Sequence, residues 1–374
     1  MITRQLSREV IRPQPLERAS PPSTLLQSFM VERQRTEGVI GQVKHNVDPM
    51  KLSVIIVGKN EQSRIASCLE SVIIGLDSQN TEVIYVDNES DDHTLEIARR
   101  YPITTIQRQG DRMRSPYAAA YADGVRLSKG FFVQFLDADC LLDPSWPALA
   151  LGYMTANPDI GILAGRVVEA APADTLLGRI YISHCEHMST PGEQKEIDGP
   201  AFIVRRECFE KAGPPDSEIG IGGAMELDLG VRIRAAGYRL VRLEIPMAIH
   251  RGPCKGPLKR LVSSLRNGYR FARTLVKLLR GYPGNPFLVG LLRENSLKFL
   301  MVAVIALWIG ITGLTGFLLF CLVYLMSVIL ISVIKKVGVD IVLFQSLSIM
   351  LHSIGFAMGI PPILKKHRRN ISRD

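Results

Sequence analysis

The 374-residue chain lacks several features that would define its class at once. Its six cysteines, at positions 68, 140, 185, 208, 254 and 321, contain no C-x-x-C pair and no zinc-site spacing. That excludes a zinc ribbon or a disulfide framework and fits scattered, reduced thiols of a cytoplasmic protein. No G-x-G-x-x-G follows the first strand-like run, so the dinucleotide fingerprint is missing. Residues 1–50 carry Arg, Pro, Ser and Gln without the apolar core of a secretory signal, and read as a disordered basic tail. The formal charge is +9, yet no patch interleaves basic residues with stacking aromatics, which argues against nucleic acid. The last absence is of charge itself: residues 299–334 have none.

An uncharged run of 36 residues is too long for a single membrane span of about 20. The "GITGLTG" at 310–316 divides it, predicting a transmembrane hairpin over 297–336 with spans at about 297–314 and 316–334. A third apolar segment, 339–362, is diluted by Gln, Ser, His and Gly and is expected to span, re-enter or lie in the interface. Residues 363–374 form a basic tail. Before the hairpin, 251–296 is basic and amphipathic, with apolar positions 258, 261, 262, 265, 269, 272, 276 and 279 at helical spacing. Arg and Lys fill much of the remaining surface, which predicts interfacial helices on an anionic leaflet, with packing on the protein's own domain as the alternative. Gly268 weakens the helix in either case. Basic flanks belong inside by charge bias, so the expected location is the inner (plasma) membrane, multi-pass, with the 51–250 domain cytoplasmic.

Between these segments, 51–250 alternates short β-branched runs with helical patterns, an α/β arrangement with a mostly parallel sheet. "LSVIIV" (52–57) leads into Gly58, Lys59, Asn60 and Glu61. "TEVIYVDNESDD" (81–92) ends in acid, with Ser90 or Asp91 placed to cap the next helix. "FVQFLDADC" (132–140) ends in Asp137 and Asp139. Aspartates after strands commonly cap turns and helices. Their second reading is chemical: two hard oxygen ligands at the carboxyl edge of a sheet suit Mg²⁺ or Mn²⁺ carrying a diphosphate. Parallel neighbours bring the three polar strand ends to one edge, which favours the second reading.

"SVIIVGKNE", "VIYVDNESDD", "FFVQFLDADCLLDP" and "GAMELDLGVRIRAAGYRL" (223–240), in this order, resemble family 2 glycosyltransferases of the GT-A fold over about residues 52–250. The resemblance implies an inverting, membrane-anchored enzyme of bacterial polysaccharide assembly. Asp87 matches the aspartate that contacts the nucleotide base, with Val57, Asn60, Glu61 and Asn88 lining the same pocket. Asp139 matches the metal ligand, Asp137 the position near ribose and metal, and Glu226 the catalytic base. His250 matches a position where some members place a histidine near the diphosphate, and it is included among the candidate metal ligands. Departures are Glu89 for a usual glycine, Ala122 for an asparagine, and Met225–Glu226 for Glu–Asp, which leaves Asp228 as a second candidate base.

The implied partners are a UDP- or GDP-sugar, a lipid-linked glycan acceptor and an anionic membrane. The alternatives are a polyprenyl-phosphate sugar synthase and a non-catalytic nucleotide-sugar-binding membrane protein. Processive members of the family it resembles carry Q-x-x-R-W after the base helix; residues 240–285 contain no such string, so the resemblance implies transfer of one sugar per encounter rather than polymerisation.

Overall fold

Seven consecutive buried residues make β1 (Leu52–Gly58) a central strand covered on both faces. The computed structural model describes residues 52–74, 76, 80–108, 116–170, 190–197, 199–216, 225–251, 257–335 and 339–359. β1 pairs in parallel with β2 (Thr81–Asp87) on one side and β4 (Phe132–Asp137) on the other, and β3 (Thr104–Gln107) extends the β2 edge. Helices α1 (Ile65–Ile74), α2 (Thr94–Ala98) and α3 (Pro116–Leu127) are the crossovers. Ile65, Cys68, Leu69 and Val72 on α1 are all buried, as their spacing predicts.

Beyond β4 the sheet turns mixed. Its order is β3-β2-β1-β4-β8-β6-β9-β5, where β5 is Cys140–Leu142, β6 Ile160–Glu169, β8 Ala201–Arg205 and β9 Arg239–His250. The short β7 (Gly192–Gln194) pairs with β9. β8 runs antiparallel to β4, and β6 and β9 run parallel to each other. This far half carries α4 (Trp146–Ala156), α5 (Glu207–Ala212) and α6 (Met225–Ala235).

α6 is buried on two sides. Leu229 and Ile233 enter the main core, while Leu227 and Val231 enter a second cluster with Ala272, Leu275, Leu278, Leu288 and Phe356. The first three of those partners lie on α7 (Pro257–Gly281). The buried side of α7 is therefore centred on Gly268, Ala272, Leu275 and Leu278, rotated from the expected apolar row, and Val262 of that row is exposed. The reason is that α7 packs on α6 and on α9 (Val339–Gly359), the arrangement weighed against a purely interfacial one. Arg266, Arg273, Lys277 and Arg280 stay exposed on the other side.

α8 (Pro286–Lys335) starts before the expected boundary at 296/297. Asn285 Oδ1 accepts from the amides of Phe287 and Leu288 at 3.0 and 3.3 Å, and Pro286 needs no donor in the first turn. Within "GITGLTG", Gly313 has φ 61 and ψ −142 and interrupts the helix. A side chain is strained there and glycine is not. Among the described residues no helix is long and apolar enough to cross a membrane. Within α8 the side chains at 309–310, 314, 316–319, 322, 329–330 and 332–335 lie outside the described set. The tail at 1–50, the "EIGIGGA" before α6 and the basic 363–374 also lie outside it.

Candidate active site

The sheet register sets the site. Gly58 is opposite Asp87 on one side of β1, and Val57 is opposite Asp137 on the other. Strand spacing of about 4.8 Å puts the two aspartates on either side of the β1 terminus, roughly 10 Å apart along the sheet. Val57 is fully buried, and its carbonyl accepts from the Ala138 amide at 2.9 Å, so it supports the pocket by its backbone.

On the β2 side, Asp87 is buried and pinned. Tyr85 Oη donates to its Oδ1 at 3.1 Å and the Ser90 amide to its Oδ2 at 3.0 Å. Asn88 Oδ1 accepts from Arg108 at 2.9 Å, whereas its buried Nδ2 has no protein partner. Asn60, at φ 60, ties the two strand ends together: its amide donates to Ser90 Oγ and its Oδ1 accepts from the Asp91 amide, both at 3.0 Å. The expected cap of α2 by Ser90 or Asp91 is thus corrected. Ser90 is engaged with Asn60 and Asp87, and Asp92 Oδ1 instead accepts from the Thr94 amide at 2.9 Å. Glu89 occupies φ 65, a left-handed conformation that costs a β-carbon-bearing residue energy and explains why a glycine is usual in this motif.

The β4 end holds the acids. Tyr121 on α3 donates to Asp137 Oδ1 at 2.6 Å. Burial, then the neighbouring charge of Asp139, pushes the Asp137 carboxyl above the usual range, and Glu226 adds to this. The Glu226 carboxylate on α6 is thus near enough for its charge to be felt at Asp137. Burial also raises Glu61, only partly offset by its ion pair to Arg64 at 2.6 Å, and Asp139 contributes in the same direction.

Asp228 is directed elsewhere: Arg232 holds its Oδ2 through Nε at 2.8 Å and through a terminal nitrogen at 2.5 Å. The same guanidinium binds the carbonyls of Ala212, Gly213 and Pro214. That is a structural pair, with Asp228 buried and Arg232 partly so. Met225 packs in the main core.

β9 delivers the last piece. His250 lies between Cys140 of β5 and Glu169 of β6 in the sheet register. Its Nε2 is 3.3 Å from Asp139 Oδ2 and its Nδ1 is 2.5 Å from Glu169 Oε1. Burial by itself lowers the imidazole, but the bonds to Asp139 and Glu169 outweigh it and raise the ring to about 10. Burial likewise opposes charge on Asp139, and His250 with Arg64 overcomes it and holds the group low.

Among the described residues, Asp139, Cys140 and His250 form the compact set of metal-ligand atoms, all within 4.8 Å of one another. Asp137 is not in that set, being turned to Tyr121. Cys140 is a buried thiol pushed far up by burial, a poor partner for a hard cation. Carboxylate and imidazole together suit Mn²⁺ better than Mg²⁺. The charge of Asp139 raises both Glu61 and Asp137, a repulsion that a cation would relieve, so Asp139 and His250 fit a divalent ion.

Sequence reasoning missed Tyr121, Arg64 and Glu169. Glu169 had a signal, since it closes an apolar run in the manner of Asp87 and Asp137.

A doubly flanked β1, acidic strand ends and an acid-bearing helix beside an antiparallel extension make an α/β fold of the GT-A type. Residues 53–209 match the model of glycosyl transferase family 2. It is 29% identical over 199 residues to the glycosyltransferase AglE of Haloferax volcanii, covering 50% of this chain and 63% of that protein. It is 26% identical over 241 residues to a dolichol-phosphate mannosyltransferase of Pyrococcus furiosus, covering 60% and 64%. The chain thus spans a little under two thirds of these relatives. The mannosyltransferase PcManGT of Pyrobaculum calidifontis, solved with GDP-Man and Mn²⁺, shares the fold at TM-score 0.58 and 19% identity, over 90% of this chain and 95% of that one.

Proposed function

We propose that this protein is an inverting glycosyltransferase that moves a sugar from a nucleotide-diphosphate donor to a hydroxyl of a lipid-linked acceptor at a membrane face. The observation that carries the reading is the meeting of Asp139 and His250, with nitrogen and oxygen 3.3 Å apart, on the edge that also holds Asp87 and Asp137. In this reading the Asp87 carboxylate accepts an N–H of the base, and the unpartnered Nδ2 of Asn88 donates beside it. Asp139 and His250 hold a divalent cation, which when bound offsets the charge that gathers on the leaving diphosphate. Glu226 takes the proton of the attacking hydroxyl, and Tyr121 keeps Asp137 oriented toward the donor. The structure of PcManGT with GDP-Man and Mn²⁺ supports a nucleotide sugar and a metal of this kind.

Membrane attachment rests on α7 and α8. Leu297, Leu300, Met301, Val304, Leu307 and Ile311 stand at helical spacing on one side of α8, with Ile311 75% exposed and Leu307 66%. A continuous apolar stripe of this length needs a nonaqueous partner. The exposed Arg266, Arg273 and Arg280 of α7 suit anionic head groups beside it. In this reading the hairpin turns at Gly313, and the catalytic domain and both termini stay cytoplasmic at the inner (plasma) membrane.

The likeness to a dolichol-phosphate mannosyltransferase favours a second reading, with a polyprenyl phosphate as acceptor. Full-length protein in lipid nanodiscs, given labelled UDP- and GDP-sugars with Mn²⁺, separates the two. Transfer to a polyprenyl-diphosphate sugar supports the first reading, and transfer to bare polyprenyl phosphate the second. Donor turnover with neither acceptor, or equal transfer to a soluble sugar, overturns both.

A further inference from the structure

His250 has two ring nitrogens, and only one of them faces the acids of the candidate metal site. The other, Nδ1, lies 2.5 Å from Glu169 Oε1, whose side chain is 5% exposed. This contact is fixed from the backbone up, because Glu169 and His250 are directly paired in the β6–β9 register. A carboxylate at this distance takes a hydrogen bond from Nδ1–H, so the ring cannot swing and Nε2 is the nitrogen presented. Nε2 is held more loosely, 3.3 Å from Asp139 Oδ2. Two ligand atoms on adjacent corners of a cation, each about 2.1 Å from it, stand about 3 Å apart, so little rearrangement is needed to admit one.

We propose that Glu169 is a positioning residue of the metal site: it holds His250 through Nδ1–H so that Nε2, together with Asp139, is preorganised to bind a divalent cation. The proposal rests on the metal reading given above. Glu169 need not touch donor, acceptor or metal. Its place at the end of a different strand, paired with a ligand and buried, is that of the outer carboxylates that orient ligating histidines, whose loss typically costs 10- to 100-fold in metal affinity.

The test is Mn²⁺ binding to the full-length protein in detergent micelles, read from the electron paramagnetic resonance signal of free Mn²⁺. The series is wild type, Asp139→Asn, His250→Ala, Glu169→Ala and Glu169→Gln. Thermal unfolding of each metal-free protein is measured alongside. The expected result is a 10- to 100-fold weaker affinity for Glu169→Ala, with Glu169→Gln recovering most of the loss because its amide oxygen still accepts from Nδ1–H. Wild-type affinity in Glu169→Ala, with affinity lost in Asp139→Asn and His250→Ala, overturns the role of Glu169 and leaves the metal reading standing. A lower unfolding temperature in Glu169→Ala at unchanged affinity also overturns it, since the contact is then only a structural ion pair. No Mn²⁺ binding by the wild type, or full binding by Asp139→Asn and His250→Ala alike, sinks the metal reading and this proposal together.

Discussion

Gly268 of α7 lies against the backbone of His352 on α9, and a β-carbon built on it would fall 1.9 Å from the His352 carbonyl oxygen. The contact recurs along both helices: Ser264 Oγ meets Ser348 Oγ at 2.6 Å, and the Phe271 ring approaches the rings of His352 and Phe356. Both numbers rise together, so α7 and α9 run parallel, joined by close packing at small residues. Backbone is what meets the added carbon, and it cannot rotate away. Gly268→Leu is therefore expected to destabilise the protein by about 1–3 kcal/mol, the usual range for overpacking. Thermal unfolding in detergent measures it. An unchanged unfolding temperature would show that the two helices separate without cost.

Glu89→Gly is expected to stabilise. The φ of 65 at this position disfavours a side chain by about 1–2 kcal/mol. Glycine removes that strain and gives back part of it as greater freedom of the unfolded chain, leaving a net gain of about 0.5–1 kcal/mol. A fall in stability would mean that Glu89 makes a compensating contact.

Two acids on α6 are expected to separate by phenotype. Glu226→Gln should lower kcat by a factor of roughly 10²–10⁴ with donor affinity unchanged, the mark of a lost proton acceptor. Asp228→Asn should instead lower stability by about 1–2 kcal/mol, because it replaces a charge-assisted pair to partly buried Arg232 with a neutral one. Loss of kcat without loss of stability in Asp228→Asn would move the base to Asp228.

Removal of metal and Asp139→Asn should have the same effect. A neutral amide is a poorer ligand for a hard cation. Turnover is expected to vanish in both cases, and donor binding to weaken only where the wild type is compared with Mn²⁺ present. Mn²⁺ should support activity better than Mg²⁺, given the imidazole beside Asp139. Full activity of Asp139→Asn in chelator would remove the metal from the mechanism.

For topology, cysteines introduced singly at Thr312 and Ser372 in a variant lacking Cys321 should label differently in intact cells. Thr312, beside the Gly313 break, is expected to react with an impermeant reagent from outside, and Ser372 only after permeabilisation. Labelling of Ser372 from outside would give an odd number of crossings.

The parallel half of the sheet was legible because it is local. Each strand is a buried apolar run that ends in a polar group, and β1, β2 and β4 with their helices follow directly. What was not legible depends on partners far along the chain. The contact of Glu169 with His250 joins residues 81 positions apart through a strand pairing that no short pattern announces. The buried face of α7 was misphased for the same reason: its apolar row counts hydrophobic residues, whereas the true seam is centred on Gly268, chosen for closeness. The role of Asp228 follows only from knowing where Arg232 and the α5 carbonyls lie.

Leu227 and Val231 of α6 share one buried cluster with Ala272, Leu275 and Leu278 of α7. Packed helices keep their axes about 8–10 Å apart, a thickness set by side chains and not adjustable. If α7 rests at the head groups, then Glu226, on the first turn of α6, stands at a constant height above the bilayer. The stack is a ruler. On the membrane reading, an acceptor whose tail stays in the lipid would have to lift its reactive group through that height, so head-group length would help to select among acceptors.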